Sequence, residues 1–227
     1  KAELRKLSVK ELKGLCSRSG SGNKNKVVDL AFRYHVHDAA SKGNVAYLRA
    51  FFEHPEHREL MAHCNKHFCR MGDVEAGEHC QLEVMKLFKE LGHPSFQREI
   101  VNPEEFGNDH SFLCHVMVFG RDEISIEHQI KCVRWLVEEC GHGISAQAVK
   151  GRAQEACCPN ERYEKYARFL EECADLGVVA GPEYAAEIRA GVYEAKSHAT
   201  SQDRLQRMIA LADRVEQLEQ RKDLCRQ

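Results

Sequence analysis

The densest set of metal-ligand side chains is the run His63-Cys64-Asn65-Lys66-His67-Phe68-Cys69, followed by His79-Cys80. Cys64 and His67 are three residues apart, so a helix would place them on one face. Zinc takes such mixed Cys and His ligands in tetrahedral sites. The paired Cys-x-x-Cys spacing of structural zinc sites is missing. Cys64, His67, Cys69, His79 and Cys80 are therefore read as core or surface residues, and no metal or other cofactor is expected. Twelve of the 13 histidines fall between His35 and His142. Imidazoles titrate near neutrality and can carry acid–base chemistry, but none is set beside a recognisable Ser, Cys or carboxylate motif. Cys157-Cys158-Pro159 offers two adjacent thiols, which bridge only with strain, and it lacks the Cys-x-x-Cys of a redox site. Neither glycine-rich phosphate-loop pattern occurs. No catalytic residue is assigned, and the chain reads as a non-enzyme.

The clearest chemical potential lies in cations. Residues 1–34 hold nine Lys or Arg against three Asp or Glu, a charge of +6, and the rest of the chain carries −8. A basic end on an acidic body attracts phosphates or an acidic protein face. Lys10, Lys13, Arg18, Lys24 and Lys26 are the expected partner or phosphate contacts. Lys24 and Lys26 fall where a second helix should begin, and the unpaired N–H groups of a helix start also draw anions. Aromatic residues are not interleaved with these cations, which argues against stacking on single-stranded nucleic acid.

The elements that would position these cations are two short helices. Ser8 caps a helix with apolar Val9, Leu12 and Leu15, and Glu11 completes a capping box. Ser19-Gly20-Ser21-Gly22-Asn23 is a turn by composition. Lys24-Asn25-Lys26-Val27-Val28-Asp29-Leu30-Ala31 opens the second helix. Through Leu7-Ser8-Val9-Lys10-Glu11-Leu12-Lys13, Gly22, Lys24 and Val27-Val28-Asp29-Leu30, this segment resembles the SAP motif, a helical hairpin of chromatin and RNA-processing proteins. Ser19-Gly20-Ser21 replaces the usual Gly-Leu after its first helix. The resemblance covers about 30 of 227 residues and implies DNA binding in many proteins, or packing in organelle proteins.

From residue 35 a signature recurs: Leu48-Arg49-Ala50-Phe51-Phe52, Met85-Lys86-Leu87-Phe88, Val133-Arg134-Trp135-Leu136 and Ala167-Arg168-Phe169-Leu170. The basic residues are spaced by 37, 48 and 34. The last two copies each run into Glu-Glu-Cys. With Ala39-Ala40, Gly43-Asn44 and Leu48, and with Ser111-Phe112-Leu113-Cys114 in place of the usual Thr-Pro-Leu-His, the segment resembles ankyrin repeats in degenerate form. That resemblance implies stacked helix pairs, with Phe51, Phe88, Trp135 and Phe169 buried between repeats. Pro182 suits a helix start. Ser201 is placed to cap a last helix whose Leu211, Val215 and Leu218 form a short seam, for packing on its own body or for docking to another chain.

Composition sets the limits. Charged residues are 30% and the hydrophobic set is 43%, the balance of a globular protein. No stretch nears the ~20 apolar residues of a membrane span. Few prolines and no alternating Val and Ile runs argue against a β-sandwich. Eleven cysteines, an odd number mostly in apolar helical patterns, predict buried thiols in an intracellular reducing compartment. The Lys1 start fits an organelle protein after removal of a transit peptide, and equally a fragment or a chain with a disordered head.

The expectation is an all-α chain. A SAP-like helix-turn-helix hairpin occupies 1–34, an irregular ankyrin-like helical array 35–181, and a C-terminal helical extension 182–227. The expected role is a non-catalytic scaffold or accessory subunit that binds other proteins of a larger complex. The alternative is a nucleic-acid-associated adaptor acting through residues 1–34.

Overall fold

The computed structural model describes residues 36–55, 72–97, 112–117, 123–159, 162–195 and 201–218. The expected hairpin at 1–34, its five cations Lys10, Lys13, Arg18, Lys24 and Lys26, and the His63–Cys69 run lie outside these. The described residues hold helices and no strand, as an all-α chain requires. No described helix is long and apolar enough to cross a membrane. The chain divides into two compact units, Lys1–Ser95 and Phe96–Gln227.

In the first unit, α1 (Asp38–Ser41) turns into α2 (Val45–Glu53), and α3 (Asp73–Glu78) turns into α4 (Leu82–Glu90). The two hairpins repeat each other at a spacing of 37 residues. Asn44 N–H donates to Ala39 O at 2.9 Å, and Gln81 N–H donates to Ala76 O at 2.8 Å. The turns pass through the left-handed region at Gly43, φ +68°, and at Cys80, φ +50°. Glycine accepts this conformation freely, whereas a Cβ makes it costly by about 1 kcal/mol or more. The Cys80 side chain is buried, so apolar burial offsets strain at the second turn. Asn44 caps α2 by accepting from Tyr47 N–H at 3.1 Å, as a short polar side chain at that position should. The first helices pack side by side, as do the second helices, around Leu48, Phe52, Met85 and Phe88. Phe52 and Phe88 meet edge to face, 6.2 Å between centroids, the arrangement aromatic quadrupoles favour.

The second unit continues with α5 (Phe112–Met117), α6 (Ile126–Cys140), α7 (Ala146–Cys157), α8 (Tyr163–Asp175), α9 (Pro182–Ala195) and α10 (Gln202–Gln217). Ser125 and Ser145 cap α6 and α7, accepting from His128 N–H and Ala148 N–H. Ser201 occupies the N-cap of α10, but its side chain makes no capping bond. Here α9 crosses α7 so closely that a Cβ on Gly191 would come within 2.4 Å of Lys150 O and 2.9 Å of Gln154 N. Cys132, Cys140, Cys157 and Cys173 are buried free thiols, the small core residues expected from the sequence.

The four signature aromatics do not share one environment. Phe88 and Phe169 are buried, whereas Phe51 and Trp135 are only half-buried. Helix register explains Trp135. Phe51, Phe88 and Phe169 each stand seven residues after an N-cap, at Asn44, Gln81 and Arg162, whereas Trp135 stands ten after Ser125. Cys132 holds the seventh position in α6 and is fully buried. Matching Arg134 with Arg168 therefore slips the alignment by nearly one turn, since the caps of α6 and α8 are 37 residues apart. Phe51 yields the inner position to Phe52, the adjacent ring.

Candidate functional site

The sequence gives the first unit a buried polar cluster at the ends of its second hairpin. Gly72 takes φ +88° and starts α3, leaving Asp73 as the first helical residue. Gly92 takes φ +77° and ends α4, so that His93 N–H returns to Phe88 O at 2.9 Å. This is the glycine-terminated helix end that satisfies the last carbonyls. The chain then turns back through His93-Pro94-Ser95. Ser95 Oγ donates to Asp73 Oδ2 at 2.7 Å, and Ser95 N–H donates to His93 Nδ1 at 3.2 Å. All three side chains are buried, His93 at 4% exposure. The His93 ring lies 5.5 Å from that of Phe88. Burial pushes the imidazole pKa below its ordinary value, and the Asp73 carboxylate offsets part of that shift.

Ser, His and Asp are the residues of a nucleophilic triad, but their order here is different. A triad needs the imidazole between hydroxyl and carboxylate. In this cluster the hydroxyl reaches the carboxylate directly, and the imidazole takes a backbone N–H. The arrangement ties the chain after α4 to the start of α3. It also fixes the tautomer, because a ring nitrogen that accepts an N–H carries no proton.

The second unit is bound differently, through arginines. Arg134 of α6 grips the buried Glu172 of α8 through Nε and Nη2, at 2.5 and 3.1 Å. Arg207 of α10 holds both Glu164 and Glu171 of α8. Arg189 of α9 holds Asp213 and Glu216 of α10. Arg204 stacks on the Tyr163 ring, 3.5 Å from its centroid, and donates to Cys158 O at 2.6 Å. Guanidinium suits all these tasks, being planar, permanently charged and rich in donors. The Arg207 contact pulls the Glu164 carboxyl below its usual range, its hydrogen bond being the main cause.

Several residues singled out in the sequence find places in this frame. The α10 seam is occupied within the chain, with Leu211 and Val215 buried in a helix packed on α7, α8 and α9. Leu218 caps the end of α10. Burial pushes the Cys157 thiol up to about 11, which keeps it protonated and unreactive at neutral pH. His79 caps the end of α3, and Cys80 is the strained turn residue. Among the described residues, no three His, Cys, Asp or Glu side chains converge as metal ligands. Tyr193 on α9 stands out to solvent at 77% exposure.

The Asp73–His93–Ser95 cluster escaped the sequence reading, because only the helix ends that flank it carry local signals. Gly72-Asp73 marks a helix start and Gly92-His93-Pro94 a helix stop. Their meeting depends on the antiparallel hairpin between them. No protein-family model, curated protein or solved structure matches the chain.

Proposed function

We propose that this protein is a non-catalytic scaffold or accessory subunit that binds other proteins through the surfaces of its helical hairpins. One observation carries this reading. In each unit, successive second helices begin 37 residues apart and lie against each other, at Asn44 and Gln81 and again at Ser125 and Arg162. Stacked hairpins of regular length make extended surfaces suited to partners. Pairs such as Asp73–Ser95 and Arg134–Glu172 tie elements together within each unit, which supports a framework role. The ankyrin-like reading of 35–181 and a role within an organelle belong to the same proposal.

Affinity capture of the full chain with and without nuclease tests it. The scaffold reading expects a nuclease-insensitive protein assembly whose capture falls when the Tyr193 surface is changed by Tyr193→Asp. The adaptor reading expects submicromolar binding to duplex DNA or structured RNA at about 150 mM salt, lost when Lys24 and Lys26 become Ala. Binding only in the non-specific range of about 10⁻⁴ to 10⁻⁶ M leaves the scaffold reading standing.

A further inference from the structure

We propose that Asp73, His93 and Ser95 form a pH-sensitive clip, which fastens the chain after α4 to the start of α3 while His93 is neutral and releases it when His93 takes a proton. The clip sits where the first compact unit ends, at Ser95. Its three residues come from two places in the chain, and the span between them is the α3–α4 hairpin.

The geometry carries the argument. His93 Nδ1 is the acceptor for Ser95 N–H, so a proton added to Nδ1 points at another proton and that bond is lost. Ser95 Oγ is the donor to Asp73, so the loop that His93 stabilises is the loop that holds the carboxylate. Groups of α4 and α3 bear on the imidazole. The Phe88 ring of α4 lies beside it and carries no charge. Asp73 of α3 is the charged group, and it favours the protonated form. Burial opposes that attraction and prevails. Protonation removes the acceptor at Nδ1 and creates a cation that competes with the Ser95 hydroxyl for the Asp73 carboxylate. The clip therefore has two arrangements rather than one that weakens gradually.

The sign follows from linkage. A histidine whose folded pKa lies below the ordinary 6.5 stabilises the closed form above that pH. The contribution is lost as pH falls below 6.5 and levels off beneath the folded value. Across that window the opening equilibrium grows by up to about tenfold per pH unit.

Nuclear magnetic resonance on the full chain tests the clip, following the His93 ring and the Ser95 amide from pH 7.5 to 5. His93 should titrate below 6.5, and the protection factor of the Ser95 amide should fall in step with it. In His93→Asn the side-chain oxygen can accept the same N–H without titrating, so Ser95 protection should stay level with pH. Ser95→Ala should leave a titrating imidazole while lowering protection at residue 95 at every pH. A His93 that titrates at or above 6.5, or a wild-type Ser95 protection factor equal at pH 7.5 and 5.5, overturns the proposal even if neither variant folds.

Discussion

The two units are built from the same hairpin and held by different chemistry. The first closes on aromatic rings and a buried polar cluster, with Phe52 against Phe88 and Ser95 on Asp73. The second has its own ring pair, Phe96 edge to face on Phe112, but adds small residues and arginines, with Gly191 seated on the backbone of α7 and Arg207 spanning Glu164 and Glu171. A hairpin of two short helices buries little surface, so each must be fastened to its neighbour. Large rings do this by area. Glycine and alanine do it by letting backbones approach, which brings longer stretches of helix into contact. The lengths agree with this. In the first unit α2 and α4 have nine residues each, whereas α6, α8 and α9 have 15, 13 and 14. Sensitivity to conditions should differ in the same way. The polar cluster of the first unit contains the buried histidine through which the proposed clip responds to acid. The exposed arginine pairs of the second answer mainly to salt and contribute little each.

The largest expected effect tests the aromatic positions. Phe88→Ala and Phe169→Ala remove rings with no exposure and should each cost about 3–5 kcal/mol. Phe51→Ala and Trp135→Ala remove half-buried rings and should cost roughly half as much. Chemical denaturation of the four variants checks the ranking. Equal losses at Trp135 and Phe169 would restore the register that pairs Arg134 with Arg168.

Next in size is the close crossing in the second unit. Gly191→Ala places a methyl against Lys150 O and Gln154 N, both backbone atoms that cannot rotate aside. Helix propensity favours the alanine by about 1 kcal/mol. Overpacking of this kind costs about 1–3 kcal/mol and sometimes more, and a contact at 2.4 Å belongs at the upper end. A net loss of about 2 kcal/mol is expected. A neutral Gly191→Ala would mean that α7 and α9 part readily, and that the arginines rather than the crossing hold the unit together.

Much of this architecture was legible in the residues. The helical character followed from apolar spacing, a local signal; the caps at Ser125 and Ser145 went unread, and Ser201, expected to cap α10, makes no capping bond. Pro182 marked the start of α9 correctly for the same reason. Trp135 misled because a basic residue beside an aromatic recurs at both Arg134 and Arg168, and only the caps show which turn is equivalent. The α10 seam could be read as packing or as docking, since Leu211 and Val215 look alike in both cases until α7, α8 and α9 cover them. The Asp73–His93–Ser95 cluster was not legible. Its residues are 20 and 22 apart along the chain, and nothing local says that a hairpin brings them together. Cys80 was weighed as a metal ligand and read as a core or surface residue; it is buried, and what the sequence hid is its backbone conformation at φ +50°, which makes it the counterpart of Gly43.

The smallest expected effect lies at the same helix crossing and has the opposite sign. Gly151 is inside α7, next to Lys150, whose carbonyl receives Gly191. A Cβ built on Gly151 meets nothing within 4 Å. Glycine in a helix interior costs about 0.5–1 kcal/mol relative to alanine, because the unfolded chain loses more freedom and the folded backbone is less shielded. Gly151→Ala should therefore stabilise the protein by about that amount. For a chain of this length, such a gain corresponds to a rise in Tm of about 1–4 °C. Two glycines near one crossing then respond in opposite directions, one because its missing Cβ makes room for a backbone and the other because its missing Cβ serves no contact. Thermal unfolding of Gly151→Ala beside Gly191→Ala separates the two causes. If both lower the Tm, α7 tolerates no side chain on either side, and the crossing is tighter over a longer stretch than the Gly191 contact alone requires.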